Sequence, residues 1–280
     1  METASLTEAV AALAHAIESA DAVVIGAGAG LSTSAGFTYA GERFERDFAD
    51  FIEAYGFTDL YSAGFHRFPT LEQQWAFWSR MIWCNRYVPA PKDTYAKLLR
   101  ALEGKDFFVI TTNVDHQFQK AGFPKERLFY TQGDYGLWQC SVPCHKRTYD
   151  NFDTVKRMVD EQRGMRVPSE LVPHCPVCGK PMIMNLRADD TFVEDEGWHA
   201  AAARYQAYLD AHEEGRVLYL ELGVGGNTPG IIKFPFWRRV YANPQATYVC
   251  VNYGQTWTHP DIAERSILLD VDIDALLNEM

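Results

Sequence analysis

The sequence predicts an α/β fold in which a parallel sheet carries a small metal-binding module and a helical insertion. Short apolar runs alternate with stretches of helical periodicity, which is the pattern of a parallel sheet covered by helices. Two close pairs of cysteines interrupt this pattern, and so does an early stretch rich in Phe, Tyr and Trp. The apolar runs that we interpret as strands lie at residues 21–25, 106–111, 127–131, 216–222, 246–251 and 266–269.

The composition indicates a globular protein and argues against several functional classes. Hydrophobic residues make up 47% of the 280 residues, and 26 basic against 37 acidic residues give a net charge of −11. This charge argues against non-specific binding to nucleic acid, whose phosphates need a basic surface. No apolar run approaches the ~20 residues of a membrane helix, and the N-terminal segment lacks the basic start of a signal peptide. We therefore expect a cytoplasmic protein, in which cysteines (six in this sequence) are more often metal ligands than disulfide partners.

The helical elements follow from the spacing of apolar residues. Residues 6–19 place apolar side chains at helical spacing and lead into the first strand. Residues 44–90 show the same spacing without intervening strands, so we interpret them as a helical insertion. Further helices are expected at 92–103 and 198–213, where each precedes a strand.

A glycine-rich turn, Gly26-Ala-Gly-Ala-Gly-Leu-Ser-Thr-Ser-Ala-Gly36, follows the first strand. Glycines let backbone N–H groups approach a phosphate, and hydroxyl side chains can cap the helix that follows or bind phosphate oxygens. The spacing does not match G-x-G-x-x-G, because Leu31 or Thr33 stands where the last glycine would be. The turn therefore indicates a nucleotide site without identifying it, and a tight strand–helix turn without a ligand is the alternative.

The cysteines form a second motif of higher specificity. Cys140 and Cys144 make one close pair, and Cys175 and Cys178 make another after an interval of thirty residues. Two such pairs can surround one tetrahedral Zn²⁺, and four thiolates leave no open position for catalysis. We expect a structural zinc site, with four free or disulfide-bonded cysteines as the alternative.

Polar residues follow several of the predicted strands. Asn113 and Asp115 come directly after the strand at 106–111, Gln132 follows the next strand, and Gly223-Val-Gly-Gly-Asn227-Thr228 follows another. The carboxyl ends of parallel strands meet at the edge of the sheet where ligands bind. Each segment taken alone fits an ordinary turn, but together they indicate a ligand-binding edge.

Taken together, these motifs resemble the sirtuin set and occur in sirtuin order. The resemblance spans residues 20–275, and its specificity comes from the combination, because each motif alone is modest. The matching segments are Gly28–Gly36, Thr112–Asp115, the two cysteine pairs, Gly223–Thr228 and Val251-Asn252.

The resemblance implies a single sirtuin-like domain over residues 1–280, with NAD as co-substrate and a structural Zn²⁺. The NAD-binding part would be a Rossmann-like parallel sheet formed by residues 20–135 and 215–275. The helical insertion would be 44–90, and the zinc-binding module 138–197. A site that cleaves NAD would lie between the sheet and the module.

The resemblance also implies which residues contact NAD. The glycine turn would line the pyrophosphate, the residues after the second and third strands would face the nicotinamide and its ribose, and the late loops would contact phosphates, ribose and adenosine. The expected contacts are Gly28, Ala29, Gly30, Ser32, Thr33, Gly36, Asn113, Asp115, Gln132, Gly223, Gly225, Asn227, Thr228, Asn252 and Val271.

Departures from the sirtuin deacylases narrow the resemblance. Deacylases carry a catalytic His-Gly after the third strand, where this sequence has Gln132-Gly133. Their acyl-peptide segment is replaced here by residues 184–195. These departures resemble the class M sirtuins, the microbial group associated with macrodomain proteins. For that group the resemblance implies ADP-ribosylation of a lipoyl-carrier protein related to the glycine-cleavage H protein, with a macrodomain ADP-ribosyl hydrolase as a further partner.

The glutamine changes the expected chemistry. Deacylation needs a base with a pKa near the working pH, and an amide has none, so we expect deacylation to lose about 10²–10⁴-fold in rate. Cleaving the glycosidic bond needs a held ribose and polar groups aimed at the developing charge. Asn113, Asp115 and the amide of Gln132 can supply these. The sequence therefore predicts NAD-dependent protein ADP-ribosyltransfer.

Three alternatives stay open at the level of sequence. They are deacylation with another group as base, hydrolysis of NAD by water, and an NAD-binding sensor without turnover. Arg187 is the remaining catalytic candidate, because its guanidinium can bind a carboxylate or phosphate or orient an acceptor. A surface arginine beside Asp189 and Asp190 is the alternative interpretation of this residue.

Overall fold

The computed structural model describes residues 5–226 and 229–280, which fold as two compact units. The first unit comprises the chain up to Gly36, Ala90–Gln132 and Gly197–Met280, and the second comprises Phe37–Pro89 and Gly133–Glu196. The chain therefore leaves the first unit twice to build the second. The predicted limits of the NAD-binding part, the insertion and the zinc module stay a prediction. Within the described residues, no helix combines the length and apolar character needed to cross a membrane.

Helices and strands alternate through most of the first unit. The helices are α1 Leu6–Ser19, α2 Ala29–Ser34, α3 Glu42–Tyr55, α4 Leu60–Gly64, α5 Leu71–Ile82, α6 Thr94–Ala101, α7 Gln117–Lys120, α8 Phe152–Glu161, α9 Glu196–Ala211, α10 Lys233–Ala242 and α11 Ile273–Asn278. The strands are β1 Ala22–Ala27, β2 Phe107–Thr111, β3 Leu128–Tyr130, β4 Gly133–Cys140, β5 Tyr149–Asp150, β6 Met182–Leu186, β7 Val217–Leu222, β8 Thr247–Val251 and β9 Ser266–Leu269.

A six-stranded parallel sheet forms the centre of the first unit, in the order β3-β2-β1-β7-β8-β9. Every residue of β1 is buried, because both faces of the sheet are covered. Val23 and Ile25 join the core on one face, and Ala22 and Val24 join the core on the other. This two-sided burial explains why the strands are continuous apolar runs. The predicted α/β class with a parallel sheet is confirmed.

The register of the sheet brings the ends of its strands to one level. Ala27, the last residue of β1, pairs with Thr111 of β2 and with Leu222 of β7. Leu222 in turn pairs with Val251, the last residue of β8. The segments that follow these strands, which the sequence marks as polar or glycine-rich, therefore start side by side.

The second unit combines aromatic helices with a small antiparallel sheet. Its strands run in the order β5-β4-β6. Helix α5 begins at a capping threonine, Thr70, and continues into a π-helical turn at Trp83–Tyr87. The fully buried indole of Trp75 packs against Trp138 of β4 with ring centroids 5.1 Å apart. Aromatic packing thus builds much of this unit's interior.

Candidate functional site

The carboxyl edge of the parallel sheet is tied together by backbone hydrogen bonds between its loops. Gly28 N–H donates to the carbonyl of Leu222, and Gly30 N–H donates to that of Gly223 at 2.9 Å. The N–H of Gly223 donates to Val251, and that of Thr112 donates to Ala27. The loops after β1, β2, β7 and β8 thus form one bonded layer. A ligand at this edge would meet a surface made largely of backbone.

The glycines of the first turn are needed for the contact between two of these loops. A Cβ on Gly28 would lie 2.7 Å from the carbonyl oxygen of Gly223, and one on Gly30 would lie 2.7 Å from Gly223 Cα. Gly223 itself has φ +62, in the left-handed region. Close approach of one loop to the other therefore accounts for Gly28, Gly30 and Gly223. In the same turn Ala29 and Thr33 are exposed, whereas Ser32 is buried.

A chain of hydrogen bonds links the two polar residues that follow β2. Asn113 Nδ2 donates to the Tyr95 hydroxyl at 3.4 Å, and Ser32 Oγ donates to Asp115 Oδ2 at 2.5 Å. The hydroxyls of Tyr95 and Ser32 lie 3.0 Å apart. Because the Ser32 proton is used on the carboxylate, Tyr95 donates to Ser32, and every donor in the chain points towards Asp115. Such aligned chains strengthen their members.

The carboxamide of Asn113 is also fixed from a second side. Its Nδ2 donates to the carbonyl of Gly28 at 3.0 Å, so both amide hydrogens have acceptors. The described residues provide no donor for its Oδ1. Asn113 is partly exposed, whereas Asp115 is buried. Asn113 therefore offers a held, ligand-accessible acceptor, and Asp115 anchors the network behind it.

Gln132 ends the segment that follows β3. The preceding residue, Thr131, is held to β2, since its N–H and its hydroxyl both donate to the carbonyl of Thr111. The indole of Trp198 donates to the Thr131 carbonyl at 3.0 Å. The side chain of Gln132 is partly exposed. A rigid turn thus presents this amide at the same edge of the sheet.

The loop after β7 is held by a residue that follows β8. Asn252 Nδ2 donates to the carbonyl of Val224 at 3.2 Å, which joins the two loops. Gly225 is exposed, and a Cβ there would meet nothing within 4 Å. Val271 is partly buried and packs against the core on the α1 face of the sheet. Two further predicted contacts, Asn227 and Thr228, lie outside the described residues.

In the second unit the four predicted metal ligands come together. The sulfur atoms of Cys140, Cys144, Cys175 and Cys178 all lie within 4.8 Å of one another. The distances Cys140–Cys178 and Cys144–Cys175 are 3.5 and 3.6 Å. Tetrahedral zinc with metal–sulfur bonds of about 2.3 Å needs sulfur atoms about 3.8 Å apart, so the cluster fits this ion.

The four thiols of the cluster differ in acidity, since burial and the neighbouring thiols raise the pKa of Cys144. Burial alone would raise the pKa of the Cys140 thiol, but backbone N–H groups of Cys144 and Val142 lower it to about 7. A thiol with this pKa is readily deprotonated, and the thiolate is the form that binds zinc. The neighbouring His145 has Nδ1 3.0 Å from the Cys144 sulfur and Nε2 2.8 Å from the Tyr149 hydroxyl.

Arg187 lies in the second unit, directly after β6. Its guanidinium donates to Glu194 Oε1 at 2.6 Å and stacks over the ring of Phe192 at 4.4 Å from the centroid. Asp189, which the sequence suggested as a neighbour, instead accepts hydrogen bonds from Thr191. Arg187 is therefore an exposed arginine with a carboxylate partner, and its catalytic role stays a prediction.

Comparison with known proteins gives a clear relative. The chain is 43% identical over 272 residues to a protein ADP-ribosyltransferase of Staphylococcus aureus strain Mu50, covering 97% of this chain and 86% of that protein. The chain belongs to the protein ADP-ribosyltransferase family. A probable bifunctional ADP-ribose hydrolase/ADP-ribosyltransferase of Fusarium oxysporum f. sp. cubense is 33% identical, over 78% of this chain and 38% of that protein. No model in a scan of protein families matches.

The fold of this ADP-ribosyltransferase is that of the sirtuins. A structure of Sir2Tm bound to a propionylated peptide matches with a TM-score of 0.59 at 18% identity and covers 96% of both chains. A Sir2–p53 peptide–NAD+ structure matches with a TM-score of 0.58 at 19% identity, over 96% of this chain and 95% of that chain. The predictions of a sirtuin-type fold and of membership among ADP-ribosyltransferases are confirmed.

The structure of this ADP-ribosyltransferase brings together several of the site residues that the sequence predicted. It also adds Tyr95 to them. Gly28, Ser32, Asn113 and Asp115 lie in one hydrogen-bonded network, in which Tyr95 is the central member. The sequence did not select Tyr95, because it occupies an apolar position of α6 and is only 3% exposed. The available signal was a tyrosine on the buried face of α6, the helix that precedes β2.

Proposed function

We propose that this ADP-ribosyltransferase transfers ADP-ribose from NAD to a protein side chain and releases nicotinamide. The observation that carries the proposal is the fixed pair Asn113 and Asp115 at the carboxyl edge of the sheet, with Gln132 after β3 in place of a histidine. Two relatives support it: the Staphylococcus protein, which is named an ADP-ribosyltransferase, and the Sir2 structure that contains a p53 peptide and NAD+.

The glycine turn and the late loops fit a dinucleotide. In our proposal the exposed residues of α2, Ala29 and Thr33, face the pyrophosphate, and Gly223, Gly225 and Asn252 face the adenosine half. The remaining proposed contacts are Gly28, Gly30, Ser32, Gly36, Asn227, Thr228 and Val271. The bonded layer of loops supports this arrangement, because a rigid backbone surface loses little entropy when it binds a ligand.

Asn113 is proposed to hold the ribose next to the nicotinamide. Its Oδ1 can accept a hydrogen bond from a ribose hydroxyl, since its Nδ2 is already occupied by Gly28 and Tyr95. The buried carboxylate of Asp115 stabilises positive charge that develops on the ribose as the bond to nicotinamide breaks. A nucleophile of the acceptor then bonds to the anomeric carbon and releases its proton to solvent, while nicotinamide leaves as a neutral molecule with the electron pair of the broken glycosidic bond.

Gln132 is proposed to favour transfer over deacylation. Its amide can hydrogen-bond to the ribose or the acceptor but cannot take a proton near neutral pH, as the deacylation intermediate requires. Arg187 is proposed to orient the acceptor, and its partner Glu194 would keep the guanidinium in place.

The cysteine cluster is proposed to hold a structural Zn²⁺. All four ligands would be thiolates, so no coordination position would remain for substrate. The proposed location is the reducing cytoplasm, where cysteines are kept as thiols and can serve as metal ligands.

The proposed acceptor is a lipoyl-carrier protein of the glycine-cleavage H type. A macrodomain ADP-ribosyl hydrolase is the proposed second partner, which would remove the modification. The Fusarium relative supports this pairing, because its name combines ADP-ribose hydrolase and ADP-ribosyltransferase in one chain.

Labelled NAD tests the function directly. We expect incubation with NAD and the lipoyl-carrier protein to label the carrier, and Asn113→Ala to lower the rate by about 10²–10³-fold, as for other groups that stabilise charge. Gln206→Ala, which changes an exposed glutamine on α9, is the matched control and should label normally. Equal labelling by wild type and Asn113→Ala would contradict the proposed site.

The same assay separates the alternatives. Nicotinamide release without any acceptor would instead indicate NAD hydrolysis, and release of O-acyl-ADP-ribose from acyl-lysine peptides would indicate deacylation. Tight binding of NAD without turnover in any of these assays would indicate a sensor.

A further inference from the structure

A fully buried ion pair lies behind the loops that follow β7 and β8. The ammonium of Lys233, the first residue of α10, is 2.5 Å from Glu221 Oε1, and both side chains are 0% exposed. Glu221 is the penultimate residue of β7, two positions before Gly223. No role in the proposed chemistry requires this pair, because it is sealed from solvent.

Each charged group of the pair has further partners. Tyr248 of β8 donates to Glu221 Oε2 at 2.7 Å, and the Cys250 thiol lies 3.5 Å from Oε1. The Lys233 ammonium lies 5.2 Å from the ring centroid of Trp257, which follows Asn252 in the loop after β8. The pair therefore joins the end of β7, the end of β8, the start of α10 and the loop that contains Trp257.

Stability alone does not account for this arrangement. Removing two charges from water is costly, and apolar side chains of similar volume often replace a buried pair at no loss. A lysine in the first turn of a helix also opposes the helix dipole, which favours anions there. What the pair does supply is a single geometry, because both ions are buried and their main partners are specific atoms.

We propose that Glu221 and Lys233 are positioning residues for NAD binding. The pair sets the distance between the loop after β7 and the loop after β8, and so places Gly223 and Asn252 for the adenosine half of the dinucleotide. This inference rests on the proposed function. The bonds Gly30 N–H to Gly223 and Asn252 Nδ2 to Val224 transmit the position of the pair to the edge of the sheet.

The test is calorimetric binding of NAD to the full chain. The double variant Glu221→Gln with Lys233→Met removes both charges and leaves no buried ion unpaired. We expect its melting temperature to stay near that of wild type, while the Kd for NAD rises about tenfold, the equivalent of about 1.4 kcal/mol. A double variant that binds NAD as wild type does would overturn the proposal.

A second variant and a control distinguish an effect of the position of the Glu221 carboxylate from an effect of its charge. Glu221→Asp keeps the charge but shortens the side chain by one methylene, so it should also weaken NAD binding. The control removes the exposed pair Asp21–Arg216 at the opposite end of β7, as Asp21→Asn with Arg216→Gln, and should leave the Kd unchanged. Wild-type affinity in Glu221→Asp would contradict a geometric role.

Hydrogen exchange keeps this inference separate from the proposed function. If wild type binds no NAD, the proposed function fails. The amides of Gly28, Gly30 and Gly223 should still exchange faster in the double variant, because their bonds join the loops that the pair positions. Unchanged exchange at these amides would reject the positioning role whatever the outcome with NAD.

Discussion

The two units of the molecule reach a defined shape by different means. The first buries a parallel sheet between two hydrophobic layers, and its carboxyl edge is held by hydrogen bonds between loops. The second has a small antiparallel sheet, aromatic helices and four cysteines with the spacing of a zinc site. The comparison teaches that the proposed ligand surface of the first unit depends on backbone geometry, whereas the second unit contains a cysteine cluster that fits a metal ion.

Replacing one of the four clustered cysteines should have the largest effect. A small effect would contradict the difference that we draw between the two units. We expect Cys175→Ser to abolish zinc binding and to unfold the second unit, because structural zinc contributes folding free energy directly. The measurements are zinc content and hydrogen exchange, which should rise across Gly133–Glu196 while β1, β2 and β7 stay protected.

Cys84→Ser is the control for this experiment. Cys84 lies in the second unit outside the cluster, and burial raises the pKa of its thiol to about 11. This variant should keep its zinc. Full protection of the second unit in zinc-free Cys175→Ser would show that the metal does not hold it.

A methyl group placed between two loops should have the next largest effect. Gly30→Ala puts a Cβ 2.7 Å from the Cα of Gly223, so the loops must separate. We expect the free energy of unfolding to fall by about 1–3 kcal/mol, the usual cost of overpacking, and the affinity for NAD to fall with it. Chemical denaturation and calorimetry measure the two effects.

Gly230→Ala is the matched control, because its Cβ would meet nothing within 4 Å and Gly230 has no positive φ. It should leave stability and affinity unchanged. Equal behaviour of the two variants would mean that loop contact is not what the glycines of the first turn provide.

Removing the hydroxyl of Tyr95 tests the hydrogen-bond chain at the carboxyl edge of the first unit's sheet. Tyr95→Phe keeps the ring against Phe118 but breaks the chain from Asn113 to Ser32. We expect a loss of about 0.5–1.5 kcal/mol in stability, the net value of a hydrogen bond, and a larger loss in kcat than in KM for NAD. Steady-state kinetics and thermal unfolding measure both.

Tyr241→Phe provides the comparison for Tyr95→Phe, since the Tyr241 side chain is exposed. Its kinetics should match those of wild type. If Tyr95→Phe also has wild-type kinetics, the hydrogen-bond chain does not serve catalysis.

The smallest effect concerns the pH dependence of stability in the first unit. Burial tends to raise the pKa of Asp274, but hydrogen bonds from Thr94 and Lys97 outweigh it and hold the pKa below 3.8. Because the folded pKa is the lower one, the carboxylate stabilises the fold above about pH 4 and loses this effect as the pH falls through the folded pKa. Asp274→Asn should therefore flatten the loss of stability below pH 4 in denaturation curves.

The control for Asp274 is Glu279→Gln, an exposed carboxyl just after the same helix. Its acid unfolding should follow that of wild type. A wild-type acid profile in Asp274→Asn would show that Thr94 and Lys97 do not favour the ionised form.

The elements of the fold were predictable to the extent that their signals are local. Continuous apolar runs predicted β1, β2 and β7, since strands buried on both faces need no polar positions. The spacing of Cys140, Cys144, Cys175 and Cys178 predicted a cluster, because short intervals restrict which sulfur atoms can meet. The polar residues after β2 were predictable as a site because parallel strands end at one edge.

The particular contacts of the site were not predictable in this way. The sequence indicated phosphate binding as the reason for Gly28 and Gly30, and the structure adds a packing reason, since both lie against the backbone of Gly223. Asp115 was selected as a residue facing ligand, and the structure shows it buried and bonded to Ser32. Neither contact could be predicted from the sequence, because Gly223 is far in the chain from Gly28 and Gly30, and Ser32 is far from Asp115.

By itself the sequence determined the α/β class and the four-cysteine cluster, which follow from residue type and spacing along the chain, while its resemblance to the sirtuins implied membership among the ADP-ribosyltransferases. Only the tertiary structure decided that Tyr95 joins Asn113 to Ser32 and that Lys233 pairs with Glu221. The physical reason is that hydrogen bonds and ion pairs act over about 3 Å in space, whatever the separation in sequence. Folding alone brings such partners within that distance.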